Sequence, residues 1–160
     1  MTIVIRFAST TRDLARRPPP PRMSTFVVVT DSVHTSATLC DYLRDRLVDT
    51  DTVYGIAVVD PSAPADARRD AEDALNAHRV RLSALATVET ALHDGPPAAT
   101  LHSIASDVDA DELVVGSPPP ATKSADSGDG GVDVGGFDGE TLARLLLGSP
   151  CPVVVVPLSG

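Results

Sequence analysis

From residue 23 onward, short runs of Val, Ile and Leu alternate with longer segments in which apolar residues recur every three or four positions. That alternation is the mark of βαβ units, because a period of two buries strands and a period of 3.6 buries one face of a helix. Runs at 26–30, 53–59, 88–93, 112–115 and 153–156 predict five strands. Between them, helices are predicted over 32–48, over 64–86, after Gly95, Pro96 and Pro97, and over 141–147. Parallel strands need such crossovers, so the expectation is a doubly wound α/β domain, a five-stranded parallel sheet with helices on both faces. Aromatic residues make up only 3% of the chain and Trp is absent, leaving Val, Leu, Ile and Ala to fill the core. Those residues suit strands covered on both sides.

Size and charge bound the rest. With 160 residues and 42% hydrophobic content, the chain is one domain with a core of its own. The longest apolar runs fall far below the roughly 18 residues of a membrane span, so a soluble protein with no membrane partner is expected. Cys40 and Cys151 lie far apart without metal-type spacing, which reads as two reduced thiols in a cytoplasmic protein. Residues 1–22 hold five Arg and one Asp, whereas residues 23–160 hold 8 basic and 21 acidic residues, net −13. Such a field opposes nucleic acid. With Lys123 as the only lysine, the surface fits a halophilic source, where concentrated counterions screen self-repulsion. The first 22 residues, with Pro18 to Pro21 and a second Met at 23, are expected to be a disordered extension or a mis-called start. Residues 118–136, rich in Pro, Gly, Ser and Asp, are expected to be a flexible insertion dispensable for folding.

Ligands of doubly wound sheets bind beyond the carboxyl ends of the strands, where strand order reverses. The segments available there are Thr30-Asp31-Ser32 and Gly116-Ser117. Through Val29-Thr30-Asp31, Ala57-Val58-Val59-Asp60, Gly95-Pro96-Pro97, Glu112-Leu113-Val114-Val115-Gly116-Ser117 and Pro150-Cys151-Pro152-Val153, the chain resembles the universal stress protein family from Met23 to Pro157. The resemblance implies strand order 3-2-1-4-5 and an adenine-nucleotide site, with ATP or AMP as the ligand. By that resemblance Thr30, Asp31 and the backbone near Val58 would face adenine and ribose. Val115 and Gly116 would line the phosphate crevice, and Gly139, Glu140 and Thr141 its far wall.

Three departures weaken that site. Nucleotide-binding members place a Gly, two residues, a second Gly, nine residues and Gly-Ser or Gly-Thr after the fourth strand. Here Pro119 replaces the second Gly, the loop is about ten residues longer, and Glu140 stands where the phosphate-binding hydroxyl belongs. Gly148-Ser149 offers a competing match, but it leaves no residues for the last crossover helix. Gly139 is therefore preferred. A carboxylate in a helix's first turn is also ordinary dipole chemistry, and Asp31 reads equally as a capping carboxylate.

No catalytic constellation is apparent. Asp107, Asp109 and Asp111 start like a calcium loop but have Glu112 where Gly is required. His34, His78, His93 and His102 lack metal spacing, and Ser117 has no assignable base. The sequence therefore predicts a non-catalytic stress-response domain with weakened or lost ATP binding, no certain cofactor and no metal. The alternatives are a working ATP or AMP sensor and a slow nucleotide hydrolase using Asp31 or Glu140 as base. The expected partners are a regulatory protein and a second copy, paired in a homodimer through the β-branched edge Val153, Val154, Val155 and Val156.

Overall fold

The structure, a computed structural model, describes residues 3–5, 23–117, 137 and 139–158. The expected insertion at 118–136 therefore lies outside the described residues, as do 6–22. Strand β1 (Ile3–Ile5) is followed by β2 (Thr25–Val29), α1 (Val33–Arg44), β3 (Thr52–Val59) and α2 (Ala65–Leu82). Then come β4 (Thr87–Asp94), α3 (Pro97–Asp107), β5 (Glu112–Ser117), α4 (Gly139–Gly148) and β6 (Val153–Pro157). The sheet runs β1-β6-β5-β2-β3-β4. Strands β2 to β6 are the parallel sheet with the expected order, reversing between β3 and β5 on either side of β2.

One strand was not anticipated. Ile3–Ile5 pairs antiparallel with β6, Val4 opposite Val154, on the edge that the expected homodimer would use. Those three residues belong to the segment 1–22 expected as a disordered extension or a mis-called start, the rest of which lies outside the described residues. A three-residue run of Ile and Val is strand-competent anywhere, and only the vacant edge beside it gives it a place.

The sheet is buried on both faces, and the alternation of side chains sorts the core. Phe26 and Val28 point with Leu39, Cys40, Leu43, Val114 and Val154 into the layer beneath α1 and α2. Val27 and Val29 point with Leu101, Leu113, Val115 and Leu145 into the layer beneath α3 and α4. Helix α1 starts where Ser32 adopts extended backbone and its Oγ accepts the Thr35 amide at 3.2 Å. It ends at Arg44, four residues before the expected Val48, because the exit turn is tied elsewhere: the Val48 amide donates to Asp51 Oδ2 at 2.9 Å. Helix α3 opens on Pro at its first turn, where a missing amide costs nothing. Cys40 is buried and its thiol is pushed up to about 11 by desolvation, which makes it inert. No helix among the described residues is long and apolar enough to cross a membrane.

Candidate functional site

The carboxyl ends of β2 and β5 lie side by side at the reversal of strand order, with β3 flanking β2. Thr30 closes β2: its amide donates to Ile56 O at 2.9 Å and its Oγ1 lies 2.7 Å from Ser36 Oγ. Ser36 Oγ in turn donates to Ala74 O at 2.9 Å, so a buried hydroxyl pair links the strand end to α1 and α2. Thr30 is thus committed to the scaffold, only 3% exposed. Asp31 is exposed, and its Oδ1 accepts the Thr35 hydroxyl at 2.7 Å across the first turn of α1. That is the capping geometry expected of Asp31 as an alternative to a ligand role.

Val58 is half-buried and Val115 fully buried, Val115 belonging to the α3–α4 core layer. Gly116 is buried beneath Leu158. A Cβ on Gly116 would lie 3.1 Å from both Leu158 methyl carbons, and Leu158 is held there by its amide, which donates to Ser117 O at 3.1 Å. The side of Gly116 that a Cβ would occupy is therefore filled by the chain itself. Leu158 went unnoticed in the sequence, because a single Leu after a strand carries no positional signal.

Gly139 opens α4, and among the described residues nothing lies within 4 Å of where a Cβ would stand. Glu140 is in the first turn and its carboxylate pairs with Arg144 at 2.6 Å, both side chains largely exposed. An exposed ion pair one turn apart is screened by water, so Glu140 presents less field to an anion than an isolated carboxylate would. Thr141, half-buried, follows it. The competing Gly148 ends α4 and is occupied by packing: a Cβ there would be 2.6 Å from His102 Cε1, while His102 Nε2 lies 3.0 Å from Leu145 O. Ser149 Oγ donates to Cys151 O at 2.7 Å, and β6 begins four residues later. Gly148 and Ser149 thus have close-packing and turn-forming work of their own.

Electrostatically this end of the sheet is acidic. Asp60, at the end of β3, accepts the amide and hydroxyl of Ser62, and the hydroxyl bond, followed by the amide bond, lowers its pKa. Asp94, at the end of β4, pairs with Arg68 of α2. Asp31, Asp60, Asp94 and Glu140 are thus carboxylates at strand or helix ends, while Arg68 and Arg144 are each bound to one of them. Among the described residues no group of three or more His, Cys, Asp or Glu side chains could hold a metal ion.

The family model described as the universal stress protein family matches residues 23–157. Among solved structures, one similar to this chain is a universal stress protein in complex with cAMP, at 22% identity and a TM-score of 0.53, covering 86% of this chain and 98% of the other. An Arabidopsis thaliana universal stress protein family protein with AMP bound is 13% identical with a TM-score of 0.57, covering 86% and 93%. The universal stress protein from Archaeoglobus fulgidus in complex with dAMP is 17% identical with a TM-score of 0.54, covering 82% and 96%. No curated protein sequence matches.

Proposed function

The chain belongs to the universal stress protein family, and from that premise we propose that it is a non-catalytic stress-response domain with weakened or lost adenine-nucleotide binding. The observation that carries this reading is Leu158 packed against Gly116, the glycine where the family's phosphate loop begins. A backbone that hugs a phosphate needs its glycine open to the ligand, and here an aliphatic side chain occupies that side. The acidic rim adds to it. A triphosphate would approach Asp31, Asp60 and Glu140 on a domain whose residues 23–160 carry net charge −13, and Arg68 and Arg144 are already paired with Asp94 and Glu140. Signalling would then pass through protein contacts, with a regulatory protein as partner.

A second reading, an ATP or AMP sensor, is favoured by the similar structures that hold cAMP, AMP and dAMP. Titration calorimetry in high-salt buffer separates the two. The expected result is no saturable heat with ATP or AMP below about 1 mM, weaker than about −4 kcal/mol. A dissociation constant in the low micromolar range would establish the sensor instead. Should the chain be silent, Glu140→Ser combined with a glycine loop of family length should gain binding, since both changes restore donors to the phosphate position.

A further inference from the structure

We infer that the hollow where β3 and β4 pass the carboxyl end of α3 is a binding site for a small organic cation, a protonated primary amine on a compact apolar body. The strand register sets Tyr54 beside Glu89, Ile56 beside Ala91 and Val58 beside His93, and residues two apart share one face of a sheet. That face lies beneath α3, because Tyr54, Ile56 and Ala91 belong to the same apolar layer as Ile104 and Val108 of the helix end. Helix α3 does not reach all of it. Its buried Leu101 shares that layer with Val27, Ile56 and Leu113, which places the helix over β2, β3 and β5. β4 is the outer strand and projects past it, with Ala91 and His93 half-buried and Glu89 exposed. Ala91 has no side chain beyond Cβ to fill the gap. The result is a cavity of about 260 Å³ with Ile56 and Ala91 in its floor and Ile104, Asp107 and Val108 in its wall.

The lining selects a cation in three ways. Glu89 and Asp107 both border the hollow, and among the described residues neither is in an ion pair and no Lys or Arg lines the space. Asp107 is also the last residue of α3, whose last turn has no basic side chain, so the negative end of the helix dipole adds to the two carboxylates. Tyr54 supplies an aromatic ring against which a cation is attracted. The aliphatic remainder of the lining decides what carries the charge. A metal ion would gain nothing from Ile56, Ala91, Ile104 and Val108, whereas an amine with an apolar body buries them. The cavity falls just under the roughly 300 Å³ at which pockets for drug-sized ligands begin, which suits a body of one ring. Tyr54 and Glu89 lie near the amino ends of β3 and β4, and Asp107 at the end of α3 that faces them. The crevice at Gly116 and Gly139 is beyond the opposite ends of the strands. The amine site is thus separate from the nucleotide position and does not depend on whether a nucleotide binds there.

The test is titration calorimetry of the full chain with phenethylammonium chloride, at the lowest KCl concentration that keeps the circular dichroism spectrum native. Saturable one-site binding is expected, with a dissociation constant on the order of 0.1–1 mM for so small a ligand. Phenethyl alcohol lacks the charge, hydrocinnamate reverses it and methylammonium lacks the body, and each should bind at least about tenfold more weakly. Glu89→Gln and Asp107→Asn should each weaken the amine about three- to tenfold. Ala91→Leu, whose larger side chain enters the hollow, should abolish saturation with an unchanged circular dichroism spectrum. No saturable binding of the amine, equal affinity for the alcohol or for methylammonium, or an affinity that survives either Ala91→Leu or the Glu89→Gln/Asp107→Asn pair would each overturn the inference. Survival in those variants would put the amine elsewhere on the acidic surface.

Discussion

Lowering the pH from 7 to 4 should cost the fold about 3 kcal/mol through His78 alone. His78 lies on the inner face of α2 with none of its surface exposed, and neither ring nitrogen has a hydrogen-bond partner among the described residues. It packs over Gly55 of β3, where a Cβ would come within 3.0 Å of Nδ1. No room is left for water on that side. Desolvation lowers its pKa from 6.5 to about 4. The native state therefore refuses a proton that the unfolded chain accepts. Above pH 6.5 neither state is protonated and stability is at its full value. Between 6.5 and about 4 the unfolded state gains the proton and stability falls by about 1.4 kcal/mol per pH unit, levelling off once the native imidazole also titrates. His78→Leu removes the proton site and the unpartnered nitrogens together. Urea midpoints of the two proteins should diverge steadily from pH 6.5 down to 4, the variant losing less. Parallel curves over that window would mean that His78 is not buried neutral.

The contrast between what the sequence disclosed and what it concealed follows from the range of each signal. Strands β2 to β6 and their order were legible because periodicity is local and crossovers admit few topologies. Ser32 could be read as a cap because its partner Thr35 is three residues away. The hydroxyl link from Thr30 through Ser36 to Ala74 O spans two helices, and the roof of Leu158 over Gly116 joins residues 42 positions apart. Neither has a spacing rule. His78 is, in the sequence, one of four histidines without metal spacing, and its burial is decided by how α2 packs onto the sheet rather than by neighbours in sequence. β1 was hidden for a different reason. Its three residues acquire meaning only beside an edge that must be covered, and its flanking Arg and Pro residues dominate the composition of that segment.

The same limit hid an acid that holds three elements together, and removing it should be among the most damaging single changes. Asp51 sits in the acidic turn 49–51 and reads as a surface charge, yet it is only 3% exposed. Its Oδ1 accepts the Ser24 amide at 3.0 Å and its Oδ2 the Val48 amide at 2.9 Å, while its carbonyl accepts the Thr87 amide at 3.1 Å. The approach to β2, the exit from α1 and the start of β4 thus converge on one residue. Asp51→Ala keeps the backbone bond but orphans two amides that had charged acceptors. At about 1.5–3 kcal/mol for each bond to a charged group, the loss should be about 3–6 kcal/mol. Asp51→Asn keeps one carbonyl oxygen and turns an NH2 toward the other amide, so at least half of that loss should remain. Asp49→Ala, an exposed neighbour, should change little. Guanidinium unfolding at pH 7 reads all three. A midpoint for Asp51→Ala within about 1 kcal/mol of the parent would show that water replaces the carboxylate at both amides, and that the junction is wetter than its burial implies.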